Sequence, residues 1–161
     1  MTREPGVRPL DPSDLEELVL LCEEHAEYER APFSASGLHE RLRGALFGPS
    51  PRAACWVVDG EEELAGFAVA AEEFSTWDGS SFVHLDCLFL RPAYRGRSLG
   101  RALLRRVASF ALERGAANLQ WQTPDWNVDA VRFYDRSGAK KGNKVRFTLA
   151  PEGCRRLTVG G

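Results

Sequence analysis

The 161-residue sequence has no apolar run approaching the roughly 18 residues that a membrane-spanning helix needs. Its first ten residues, MTREPGVRPL, carry charges and two prolines and lack the apolar stretch of about 7–15 residues of a leader peptide. A cytoplasmic protein that does not enter a membrane is expected. Paired cysteines are also missing. Cys22, Cys55, Cys87 and Cys154 are scattered with no C-x-x-C spacing, and His25, His39 and His84 are equally dispersed. Reduced thiols are expected, with neither a disulfide frame nor a metal site. No charge of one sign dominates: 21 basic residues face 23 acidic ones, for a net charge of −2. Without a strong basic field, nucleic-acid and anionic-membrane partners are not expected. Internal repeats and low-complexity segments are absent too.

The sequence does have enough apolar material, 43% of its residues, for one core. A single domain over residues 1–161 is expected, with residues from about 150 as a tail that gives no functional signal and frays. Residues 6–10 read as a first strand. Asp11, Pro12 and Ser13 then start a helix whose apolar positions Leu15, Leu18, Val19, Cys22 and Ala26 carry it to about Arg30. A second helix is expected over residues 36–46. Three strands follow, over residues 53–58, 64–73 and 82–90, with a turn around Asp59-Gly60 and another over residues 75–81. A long helix, residues 98–114, places Leu99, Leu103, Val107 and Phe110 on one face and stops at Gly115. Next come a short strand at residues 118–122, a helix opening at Asp125-Trp126-Asn127, and a last strand at residues 145–149. This order, β-α-α-β-β-β-α-β-α-β, implies an α/β fold with a mixed sheet and helices on both faces.

Residues 88–104, LFLRPAYRGRSLGRALL, run from a buried strand through a proline into an Arg- and Gly-bearing turn, and a helix starts at once. Free N–H groups and the positive end of the dipole make such a helix start suited to a pyrophosphate. Gly96 and Gly100 permit close backbone approach, and Arg95, Arg97 and Arg101 add positive charge. The same features also suit a surface loop with solubilising arginines.

This turn resembles motif A, Gln/Arg-x-x-Gly-x-Gly/Ala, of the GCN5-related N-acetyltransferase (GNAT) superfamily. Arg95 holds the first place, Ser98 the glycine place and Gly100 the last. Ser98 departs from the pattern: it carries a Cβ where the backbone meets phosphate, in a position that can demand a φ serine dislikes. Residues 125–139, DWNVDAVRFYDRSGA, resemble the superfamily's later helix with its Asn and Tyr. Within the superfamily the chain is most similar to the spermidine/spermine, diamine and thialysine acetyltransferases. The resemblance rests on Tyr28-Glu29, on Phe74-Ser75-Thr76-Trp77, on Leu85-Asp86 and on Trp126-Asn127. Where that branch reads L-E-D, this chain has Leu85, Asp86 and Cys87, which loses one carboxylate.

The resemblance implies acetyl-CoA as co-substrate, no metal, a small-molecule primary amine as acceptor, and a homodimer. Leu88, Phe89, Leu90, Arg95, Gly96, Arg97, Ser98, Leu99, Gly100, Arg101 and Asn127 would then bind the cofactor. Tyr28, Glu29, Trp77 and Asp86 would receive the amine, joined by Gln120 and Gln122, which share one face of a strand. An alkylamine has a pKa near 10.4, so on the order of one molecule in a thousand is neutral at pH 7. A carboxylate must therefore take its proton. Asp86, in an apolar stretch where burial would raise its pKa, is the first candidate and Glu29 the second. Backbone N–H groups of residues 88–90 would hold the oxyanion, and Tyr134 would protonate the leaving thiolate. Two other readings fit the same scaffold: an antibiotic- or peptide-acetylating enzyme, and a catalytically impaired acyl-CoA-binding sensor.

Overall fold

The computed structural model describes residues 6–160. Residues 1–5, read above against a leader, and the terminal Gly161 lie outside them. The chain forms two compact units, one ending at Gln122 and the other starting at Thr123.

The first unit is a five-stranded sheet in the order β1-β2-β3-β4-β5. Strands β1 (Val7–Pro9), β2 (Ala54–Asp59), β3 (Leu64–Ser75) and β4 (Ser80–Leu90) are antiparallel neighbours. Strand β5 (Leu119–Gln120) joins β4 in parallel, so the sheet is mixed. Helix α1 (Leu15–Tyr28) and helix α2 (Leu38–Phe47) separate β1 from β2, and α3 (Leu99–Glu113) separates β4 from β5. The strand period of two sorts the core into two layers. Trp56, Val58, Ala68 and Leu85 face Leu99, Leu103, Val107 and Phe110 of α3. Cys55, Val57, Phe67 and Phe89 face Leu15, Leu18 and Leu21 of α1. Helices therefore cover both faces, as the patterning implies.

One bulge interrupts the pairing of β3 with β4. Val69 pairs with Cys87 while the next residue, Ala70, pairs with Leu85, so Asp86 has no partner in the ladder. Such an extra residue bends its strand and re-aims side chains. β5 pairs only with Val83 and His84, just before this bulge. From Leu85 onward, the outer edge of β4 has no strand beside it among the described residues.

The second unit holds α4 (Val128–Asp135) and α5 (Pro151–Val159). Here the structure corrects the sequence reading twice. The strand expected at residues 145–149 does not form. Val145, Phe147 and Leu149 have the strand period but are exposed, so their alternation buries no apolar face that would stabilise a strand, and the regular elements of residues 123–160 are two helices. The expected tail is helical: Pro151 occupies the first turn, where its missing N–H costs nothing, and Glu152 and Arg156 pair across one turn at 3.8 Å.

Candidate active site

The site in the first unit grows from the C-terminal end of β4. Arg91 donates its backbone N–H to Ala65 O of β3, 2.9 Å away. Strand alternation then turns the N–H groups of Leu88 and Leu90 the other way, toward the unpaired edge. Two backbone donors thus face the opening that β5 leaves, as an oxyanion or an amide-bearing ligand arm requires.

The chain is held there by close packing. Gly66 of β3 lies opposite Leu90, and a Cβ on it would collide with the Phe89 carbonyl and the Leu90 side chain. Arg91 is buried, with 9% exposure. It bonds Glu24 through Nε and Nη2, at 2.8–3.1 Å, and Glu17 and Leu64 O through Nη1; it also pairs with Glu63 at 2.7 Å. This cluster ties α1 and the start of β3 to the residue before Pro92. Nothing in the sequence marks Arg91 for that role.

Beyond it the turn adopts two left-handed residues on either side of Arg97: Gly96 at φ 75° and Ser98 at φ 63°. A Cβ on Gly96 would meet open space. Ser98 is the N-cap of α3, and its side chain makes no capping hydrogen bond. The N–H groups that open α3, from Leu99 to Arg101, lack acceptors within the helix. An exposed turn of left-handed backbone, a helix start and three arginines fits a pyrophosphate. Arg95 is partly committed elsewhere: its Nε donates to Leu90 O at 2.9 Å, and its guanidinium lies 4.7 Å over the ring of Tyr28. That contact joins the turn to the end of α1.

Both carboxylates proposed as proton acceptors, Asp86 and Glu29, act on the Cys87 thiol of β4. Burial first, then the charges of Asp86 and Cys22, the hydrogen bond to Asp86 and the charge of Glu29, push the Cys87 thiol far above its ordinary range. Asp86 also acts on Cys22 of α1, whose thiol rises to about 11 mainly through burial. Asp86 itself is exposed, and the Cys87 thiol donates to it at 3.6 Å. The burial argued for Asp86 from its apolar neighbours is thus absent. Glu29 caps the C-terminal end of α1, within 3.2 Å of His25. Sequence reasoning passed over His25, although its spacing of four from Glu29 on one helix was available.

The other expected site residues lie apart. Trp77 is 99% exposed in the β3–β4 turn. At ~3.3 Å per residue, β4 carries that turn roughly 30 Å from Phe89, against which Tyr28 packs. Trp77 and Tyr28 therefore share no pocket within one chain. Gln120 pairs with His84 and donates to Asn118 at 2.8 Å, while Gln122 is exposed beyond the strand. In the second unit Asn127 is buried, and its side chain accepts from Ala130 N at 3.2 Å, capping α4. Tyr134 lies on the same helix, its ring 5.0 Å from that of Phe133.

Comparison with known proteins identifies the family. The chain is 30% identical to a bovine (Bos taurus) thialysine N-epsilon-acetyltransferase over 142 residues, 83% of each chain. It is 31% identical to the Caenorhabditis elegans thialysine N-epsilon-acetyltransferase over 77% of this chain and 76% of the other. An integron cassette protein, VCH_CASS6, from V. cholerae has the same fold, with a TM-score of 0.79 and 20% identity over 98% of this chain and 99% of the other. A family model described as acetyltransferase (GNAT) family matches residues 18–139. The chain therefore belongs to the GNAT acetyltransferase family, whose enzymes use acetyl-CoA as co-substrate.

Proposed function

We propose that this protein acetylates the primary amine of a small, lysine-like molecule, with thialysine as the first substrate to try. The observation that carries the reading is the 30% identity, over 83% of each chain, to an acetyltransferase named for thialysine. It is supported by Asp86, which accepts from the Cys87 thiol at 3.6 Å where β4 has passed its pairing with β5, and by Glu29, whose charge also acts on that thiol.

The turn of residues 95–101 receives the pyrophosphate of acetyl-CoA, whose thioester supplies the acetyl group. The amine loses its proton to Asp86, directly or through a water, with Glu29 as the second acceptor. Its nitrogen forms a bond to the thioester carbon while the Leu88 and Leu90 N–H groups hold the oxyanion. The C–S bond then breaks, and Tyr134 gives its phenolic proton to the thiolate. Asn127 contributes by capping the helix that bears Tyr134. Asp86 is exposed, so a proton it accepts can pass on to water. The protein acts in the cytoplasm as a homodimer, and light scattering tests the oligomeric state.

Thiol release from acetyl-CoA, measured across thialysine, lysine, ornithine, butane-1,4-diamine and an aminoglycoside, tests the function. Release that depends on thialysine, and that falls at least tenfold in Tyr134→Phe and Asp86→Asn, is expected. Release with the aminoglycoside alone would move the assignment to the antibiotic-modifying reading. Tight coenzyme A binding without release from any amine would replace it with the sensor reading.

A further inference from the structure

His25 sits on the face of α1 that packs on β3 and β4, and its side chain is 14% exposed. Its ring stacks on Phe89 at 5.2 Å and 27°, and meets Phe67 edge-on at 6.1 Å and 79°. Two buried aromatic rings from two strands therefore fix the imidazole plane. An ionised carboxylate only accepts hydrogen bonds, so Nε2, 3.2 Å from Glu29 Oε1, is the protonated nitrogen and donates.

This bond acts at a place built for a cation. Glu29 caps α1 at the end where the helix dipole is negative. Tyr28, the preceding residue, packs its ring on the same Phe89 that His25 stacks on, and Asp86 of β4 acts with Glu29 on the Cys87 thiol. Arg95 is the nearby opposing charge, held over the rings of Tyr28 and Phe89. A glutamate at a helix end has three rotatable bonds and many rotamers. Fixing Oε1 on a stacked imidazole selects among them and leaves Oε2 for an ammonium or its leaving proton.

We infer that His25 is a positioning residue for the amine: it holds the Glu29 carboxylate in the orientation that receives the substrate's ammonium. The inference rests on the amine-acetylating reading above. His25 touches neither substrate nor acetyl-CoA in this role and acts only through Glu29.

Steady-state kinetics with thialysine at saturating acetyl-CoA test it, using His25→Leu, His25→Gln, Glu29→Gln and the His25→Leu/Glu29→Gln double variant. Thermal unfolding confirms that each is folded. His25→Leu is expected to raise KM for thialysine about tenfold, the loss of one charge-assisted hydrogen bond, while KM for acetyl-CoA stays within twofold. His25→Gln keeps an N–H donor and is expected to restore KM to within threefold of wild type. The double variant is expected to be no worse than Glu29→Gln alone. Multiplying effects in the double variant, a defect in KM for acetyl-CoA instead, or equal losses in the Leu and Gln variants would overturn the inference. Calorimetric titration of thialysine into the enzyme–coenzyme A complex repeats the comparison without turnover. If wild type binds thialysine but does not acetylate it, the functional reading fails while the titration still decides the role of His25. If wild type binds none, both fail.

Discussion

Ser98 stands where the family's motif has glycine, and its backbone is left-handed, at φ 63° and ψ 5°. Among the described residues only Arg30 shares a positive φ without being glycine. For an L-residue with a Cβ this region costs about 1–2 kcal/mol. Ser98→Gly removes that cost but adds about 0.5–1 kcal/mol of unfolded-state entropy. The expected net effect is a stabilisation of about 0.5 kcal/mol, or a rise in Tm of about 1–2 °C for a chain of this length. Asn tolerates the region and is expected to match Gly, whereas β-branched Val is expected to fall about 1–2 kcal/mol below Ser. A control at exposed Arg105, in the body of α3, reverses the sign: Arg105→Gly is expected to lower stability by about 1 kcal/mol. The assay is thermal unfolding followed by circular dichroism, with KM for acetyl-CoA measured on the same samples. Because the Ser98 side chain caps nothing, Gly is also expected to leave that KM unchanged or lower it. A Ser98→Gly variant that loses stability as Arg105→Gly does, or a Val variant as stable as wild type, would refute the account of strain in this turn.

Gly66→Ala is expected to cost about 2–3 kcal/mol in chemical denaturation and to raise KM for acetyl-CoA, since its methyl would displace the Phe89 and Leu90 segment. Arg91→Leu strands three carboxylates and is expected to cost about 2–4 kcal/mol by urea titration, toward the low end because those glutamates are 31–51% exposed. The Arg8 guanidinium, bonded to Asp14 at 2.7 Å, lowers the Asp14 carboxyl below its ordinary 3.8. The stability this gives is present above about pH 4 and lost as pH falls through the depressed value. Arg8→Met should flatten that acid limb in unfolding curves taken from pH 5 down to pH 2. Burial raises Cys22 to about 11 and Cys55 to about 12, and Cys87 further still. Iodoacetamide at pH 8 should therefore label exposed Cys154 first in the native protein and all four cysteines in urea, read by peptide mass.

Much of this site was legible because its signals are local. An Arg- and Gly-bearing turn between a strand and a helix is read from consecutive residues, and the structure puts Arg95 through Gly100 there. What stayed hidden depends on pairing between strands. Asp86 looked buried because Leu85, Cys87, Leu88 and Phe89 surround it in sequence. Neighbours along a strand point to opposite faces, however, so they do not bury one another. The register shift that leaves Asp86 without a partner exists only against β3. The amine pocket shows the same limit. Tyr28, Glu29 and Trp77 form one group when motifs are compared, yet the length of β4 separates Trp77 from the other two by roughly 30 Å. Under the proposed function, selection of the amine within one chain falls to the end of α1 and the end of β4, which carry Tyr28, Glu29 and Asp86. His25 belongs to that group by its contacts with Phe89 and Glu29. Its variants should consequently raise the KM for the amine, while Trp77→Ala should leave that KM unchanged.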